Sequence, residues 1–321
     1  MQTDILPDLC SMRNRYENPG AARLQKGDVS EIVLSRYANV LTDSVFKKIF
    51  GSEQNKDMLI TLIEEVLPGR KISEIKYSNT AHANDIPGKH DSIFDVECTD
   101  AITGERFDVE IQREKMPWYH ERALFYSSFM IREQLEKGSQ YYNYPPVYVI
   151  SLLDYSYHEQ AEGFQFRYDL RETATHKLMT DRLNFVFLEL PNARQLDSPG
   201  IGILEKTCYA LHNMTTFKDR PAELEGKFFE KLFELAEIAK FAPEERKNYE
   251  RIMLTERDKR DLLAYAKLQG IEEGMEKGRA EGEKQAKLDT ARNLLKLGVQ
   301  METVVLATGL SPEQLEALRK S

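Results

Sequence analysis

Asp95 lies in the segment SIFDVECT at 92–99, and Glu110 and Gln112 lie in RFDVEIQ at 106–112, with Asp100, Thr103 and Gly104 between them. Both segments alternate apolar and polar residues, and turn-forming residues join them, which is the signature of a β-hairpin. Because strand side chains alternate faces, Phe94, Val96 and Cys98 point one way and Asp95 and Glu97 the other. In the second segment Phe107, Val109 and Ile111 oppose Asp108, Glu110 and Gln112 in the same manner. A loop centred on 102–103 sets residue 95 opposite 110, and one centred on 103–104 sets it opposite 112. Either register gathers Asp95, Glu110 and Gln112.

Carboxylates gathered on one face repel one another unless a cation joins them. Hard oxygen ligands suit Mg²⁺, which takes one or two carboxylates and keeps several waters. Phosphodiester hydrolysis is the chemistry that follows, the metal lowering the pKa of an attacking water and neutralising charge on the phosphate. Gln112 would orient that water. The same alternation also describes the solvated polar face of an amphipathic hairpin, and periodicity alone does not separate the two.

Several elements must hold this hairpin in place. Between Tyr37 and Leu67, Val45, Phe46, Ile49, Phe50, Leu59, Leu62, Ile63, Val66 and Leu67 recur at helical steps, predicting two helices broken near Gly51-Ser52. The segment ISEIKYS at 72–78 alternates like a strand. A helix is expected from about Trp118 to Lys137, ending at Gly138. PVYVISLLDY at 146–155 and NFVFLEL at 184–190 read as buried strands.

Beyond Pro221 nearly every residue favours helix. Gly270, Gly274, Gly278 and Gly282 form a stripe four residues apart. Each costs a helix about 1 kcal/mol relative to alanine, so the stripe points either to close approach of a partner helix or to a charged, solvated linker. The last segment reads as three short helical pieces ended by Gly298 and Gly309. The third opens with Ser311-Pro312-Glu313-Gln314, a capping box with proline at the first helical position.

The chain has 321 residues, 41% of them hydrophobic and 30% charged, which fits a soluble globular protein. Its net charge of −9 argues against holding nucleic acid by bulk electrostatics, so DNA contacts must be local. Cys10, Cys98 and Cys208 form no CxxC pair, and a reducing, cytoplasmic setting is expected. No apolar run is long enough to span a membrane, and the N-terminus lacks a basic flank followed by an apolar stretch, so neither insertion nor export is expected. The six histidines show no HxxxH spacing, and no glycine-rich phosphate loop occurs, so neither zinc nor a nucleotide cofactor is expected.

The stretch GKHDSIFDVECTDAITGERFDVEIQRE resembles the core of the recombination-promoting nuclease/transposase family, a branch of the PD-(D/E)xK nuclease superfamily. The similarity extends to LTDSVFKKIFG at 41–51 and to ERALFYSSFMIREQLEKGSQYYNYPPVYVISLLDY, with Arg122, Tyr126, Gln134 and Gly138. The resemblance covers about residues 34–240. It implies a restriction-endonuclease-like α/β core: a central mixed sheet flanked by helices, here followed by an all-helical extension. It implies that Asp95, Glu110 and the Ile111 carbonyl are metal ligands for Mg²⁺, which Mn²⁺ can replace. Gln112 stands where the wider superfamily has lysine, and a neutral amide can only hydrogen-bond. Asp43 is a further acid implied by the resemblance, and it also reads as a helix cap. Glu64 and Glu65 are alternatives to it.

The expected substrate is double-stranded DNA, cut to promote recombination or to accompany mobile elements. Lys89, Arg113, Arg122 and Tyr126 are candidates for its phosphate contacts. The expected division is an N-terminal arm (1–33), a nuclease-like domain (34–240), a charged helical linker (241–285) and a small helical unit (286–321). That last unit reads less well as a DNA-reading helix-turn-helix than as an oligomerisation element, because its third helix sets Glu313 and Glu316 against only Arg319 and Lys320. Leu294, Leu295, Val304, Leu306, Leu310 and Leu315 would serve self-association. A silent nuclease fold acting as a binding or interaction module is the second functional reading.

Overall fold

The computed structural model describes residues 35–78, 81–82, 92–93, 95–135, 142–158 and 162–320. The N-terminal arm, Lys89 and Gly138 lie outside the described residues. Two compact units divide the chain, Met1–Arg246 and Lys247–Ser321.

In the first unit, helix α1 (Asp43–Phe50) buries Val45, Phe46, Ile49 and Phe50, and α2 (Lys56–Val66) buries Met58, Leu59, Leu62, Ile63 and Val66. These are the apolar positions whose spacing predicts the helices. The break at Gly51 has a steric cause. A Cβ there would stand 2.9 Å from the Lys47 carbonyl oxygen and 3.3 Å from Val96 Cγ2, so the absent side chain lets α1 end directly on the sheet.

The strands are β1 (Ile75–Tyr77), β2 (Ala81–His82), β3 (Ser92–Ile93), β4 (Val96–Asp100), β5 (Arg106–Gln112), β6 (Val147–Leu153), β7 (Gln165–Arg171) and β8 (Leu178–Glu189). Six of them form one mixed sheet in the order β1-β4-β5-β6-β8-β7, while β2 and β3 pair separately. β4 and β5 are antiparallel, and β5, β6 and β8 are parallel. Helix α3 (Tyr119–Glu133) makes the crossover from β5 to β6. It packs Phe129 and Met130 on Val147 and Leu183, and Tyr119 and Ala123 on Val149, Leu153 and Phe187. Helices α4 (Ile203–Asn213) and α5 (Lys227–Ala236) pack with α1 and α2. The fold is thus α/β, a mixed sheet flanked by helices.

Periodicity misses the two-residue β2, and it misses β7. Its residues are mostly exposed, and it is held as an edge by antiparallel pairing with β8, a tertiary cause that the local pattern does not carry.

Helix α6 (Pro243–Lys296) runs 54 residues, all but the first four in the second unit, and is followed by α7 (Met301–Thr308) and α8 (Pro312–Lys320). Gly298 and Gly309 terminate the first two with φ of 76° and 68°, a left-handed conformation that favours glycine. The capping box forms: Ser311 N–H donates to Gln314 Oε1 at 2.9 Å, and Gln314 N–H to Ser311 Oγ at 3.4 Å. Ala291, Val304, Leu310 and Leu315 make the unit's buried core, with Leu294 and Leu295 packed against them. Most of the leucines that the sequence suggests for self-association are therefore spent inside the unit. Leu306, 86% exposed, is the exception. Leu315→Ala is expected to cost about 2–4 kcal/mol, enough to unravel so small a core. Hydrogen exchange should show amides of 301–320 losing protection while those of β5 and β6 keep theirs.

Candidate active site

The hairpin register pairs Val96 with Val109 and Glu97 with Asp108, which sets residue 95 opposite 110 and selects the loop centred on 102–103. Asp100 builds that turn by accepting the Ile102 N–H at 2.8 Å and the Thr103 N–H at 3.3 Å through Oδ1. Gly104 closes it with φ of 74°.

Asp95 itself is not in a strand, because β4 begins one residue later and Asp95 occupies a bend. Two hydrogen bonds fix it there. Its Oδ2 accepts the Ile111 N–H at 2.6 Å, and its own N–H donates to Glu110 Oε1 at 3.2 Å. The bend is thus locked onto the end of β5 by the two acids themselves.

The acid-bearing face of the hairpin is a buried layer beneath α3 and not the solvated face that alternation alone would suggest. Glu97, Asp108 and Glu110 are all buried. Two arginines neutralise part of this charge. Arg106 pairs with Glu97, bonds Glu133 Oε2 at 3.0 Å and donates to the Met130 carbonyl at 2.9 Å. Arg122, on α3, reaches Glu110 Oε2 at 3.3 Å and Gln112 Oε1 at 3.2 Å, and its guanidinium lies 5.0 Å from the Tyr126 ring centroid.

Burial and then the neighbouring Asp95 charge push the Glu110 carboxyl up to about 8, against the pull of Arg122 and Lys47. Burial raises Asp95 as well, with Asp43 adding to the effect, while the Ile111 hydrogen bond, Lys47 and Arg122 oppose it. Asp108 is pushed well above the carboxylate range by burial and by Glu110 and Glu97, and neither of its oxygens finds a hydrogen-bond donor among the described residues.

Asp95, Glu110, the Ile111 backbone and Gln112 therefore come together, with Arg122 and Tyr126 beside them. Arg113 follows β5 directly and is half-buried. Asp43 does not cap α1. It is the first helical residue, after Thr42, and it pairs with Lys47 at 2.7 Å. It is nonetheless the upstream acid whose charge Asp95 feels. Glu64 is committed elsewhere, accepting the Ile72 N–H at 2.8 Å and the Lys71 ammonium at 3.2 Å. Sequence reasoning missed Lys47 and Tyr119. Lys47 stands four residues after Asp43, an i,i+4 spacing that marks the pair, and Tyr119 is buried, its hydroxyl raised well above the usual range by burial and then by the Glu110 charge.

The donor set fits a hard divalent cation. Two mutually repelling carboxylates lie beside a backbone carbonyl. Among the described residues no group of three or more His, Cys, Asp or Glu side chains is placed to hold a metal ion, so the donors offered are the two carboxylates and the backbone carbonyl.

Residues 40–266 match the model of the PD-(D/E)XK nuclease family transposases. Residues 284–320 match the C-terminal HTH domain of the Rpn/YhgA-like nuclease family, which favours the helix-turn-helix description that the acidic residues of α8 argue against. No curated protein and no solved structure matches the chain.

Proposed function

The chain belongs to the PD-(D/E)XK nuclease family transposases, and from that premise we propose that it is a Mg²⁺-dependent endodeoxyribonuclease whose cuts promote recombination or serve a mobile element. The observation that carries this reading is the Asp95–Glu110 pair, two carboxylates held together at a cost that a cation would relieve.

Asp95, Glu110 and the Ile111 carbonyl would hold the metal. When bound, Mg²⁺ supplies a water of lowered pKa and neutralises charge on the phosphate. The chain's residues do the rest. Gln112, anchored through Nε2 to the Glu114 carbonyl at 2.8 Å, presents its amide to orient that water by hydrogen bonding alone. Positive charge comes from Lys47 and Arg122, which already act on both carboxylates. Arg122 would exchange Glu110 for a DNA phosphate, its guanidinium suited to bidentate contact. Lys89, Arg113 and Tyr126 are assigned supporting phosphate contacts.

We assign the nuclease domain to residues 34–240 and a DNA-binding role to the small C-terminal unit. Self-association is proposed through the open glycine stripe of α6, where no neighbouring atom stands within 4 Å of a built Cβ at Gly270, Gly274, Gly278 or Gly282. A two-fold dimer is the simplest arrangement for cutting both strands.

Supercoiled plasmid incubated with the purified full chain tests the reading. Nicked and linear products are expected with Mg²⁺ or Mn²⁺ and none with Ca²⁺ or EDTA. An uncut plasmid under every condition would shift the assignment to a silent nuclease fold acting as a binding module.

A further inference from the structure

Trp118 is the chain's single tryptophan, and it is 73% exposed. Tryptophan is on average a highly buried side chain, so an indole left open needs a reason. Its position supplies one. Trp118 immediately precedes α3, and its carbonyl accepts the Arg122 N–H at 3.1 Å, which sets it one helical turn from the guanidinium that bonds Glu110 and Gln112. The connection from β5 is tied to the same guanidinium, since Arg122 Nη1 lies 3.2 Å from Met116 Sδ. The indole is thus carried between the strand end that bears Glu110 and the helix start that bears Arg122, and Met116 and Phe125 are exposed with it.

The segment around Trp118 carries a small positive excess. Arg113, Lys115 and Arg122 fall within ten residues, against Glu114 and Glu121, in a chain whose net charge is −9. An exposed aromatic ring beside a phosphodiester-cutting centre can stack on a nucleobase, whatever its identity, because every base has a π-face. In an intact duplex the faces are taken by neighbouring bases, and opening a step costs a few kcal/mol. A base at a gap or frayed end is already open.

We infer that Trp118 is the stacking platform for an unpaired nucleobase next to the scissile phosphate, so that gapped or frayed DNA is bound in preference to intact duplex. This rests on the nuclease reading above, and it is tested without cleavage.

The full chain carrying Glu110→Gln, in Ca²⁺, is titrated with a gapped duplex, an intact duplex and a gapped duplex abasic at the unpaired positions. Tryptophan emission has a single source. Strong quenching by the gapped duplex is expected, with little by the other two. Anisotropy of the labelled gapped duplex should show about tenfold weaker binding for Trp118→Ala and partial recovery for Trp118→Phe.

Equal quenching by the abasic duplex would overturn the inference, as would unchanged affinity of Trp118→Ala. Emission that shifts with protein concentration before DNA is added would overturn it too, by showing a second copy on the platform. The two readings fail separately. Wild-type cleavage without base-dependent quenching sinks only the platform, and quenching by a chain that never cuts sinks only the nuclease.

Discussion

Glu110→Gln is expected to lower DNA cleavage by at least about a hundredfold, the scale on which even the outer partners of a metal site act, while making the metal-free protein more stable. The loss follows from removing one of two carboxylates offered to the cation. The gain follows from the price of keeping that carboxylate buried beside Asp95, which pushes it up to about 8. The sign is fixed by linkage. An acid whose pKa is higher folded than unfolded favours the folded state only while it is protonated. That contribution fades as pH rises from the ordinary glutamate range towards 8. In EDTA the variant should therefore match wild type near pH 5 and exceed its thermal midpoint increasingly up to pH 8. A variant that both cuts and melts like wild type would show Glu110 to be an ordinary structural acid.

Arg106→Met should give the largest loss of stability among the site's variants. Glu97 is fully buried, and Arg106 is a cation paired with it. Breaking a buried pair from one side strands the other charge, at about 3–5 kcal/mol. The Met130 carbonyl in the last turn of α3 loses its guanidinium donor as well. Urea unfolding is expected to shift by that amount, and Glu97→Leu added to Arg106→Met should recover much of it, because two apolar side chains then replace an ion pair. If the single variant unfolds like wild type, the layer beneath α3 is more hydrated than its burial indicates.

These two expectations mark where sequence reasoning is strong and where it stops. Alternation in SIFDVECT and RFDVEIQ specifies the hairpin, because β pairing of this kind is local. The spacing around Phe46 and Leu62 likewise specifies two helices that bury one face each. What alternation does not carry is which layer covers a polar face. The acids lie under α3 because Arg106 and Arg122, nine and twelve residues away in sequence from Glu97 and Glu110, supply the charges that make burial tolerable. The position of Asp95 in a bend is equally hidden, since it depends on hydrogen bonds to Ile111 and Glu110 across the hairpin. The leucines of the C-terminal unit carry a related lesson. Leu310 and Leu315 show that an amphipathic pattern announces burial without naming what buries it.

Binding of Mn²⁺ to the DNA-free full chain, followed calorimetrically at pH 8, tests the metal assignment at its source. One site per chain is expected in the wild type, absent from folded Glu110→Gln and Asp95→Asn and retained in Glu64→Gln. Undiminished Mn²⁺ binding in both hairpin variants would contradict the account, because the acids that the fold brings together would then not be the ones that hold the cation.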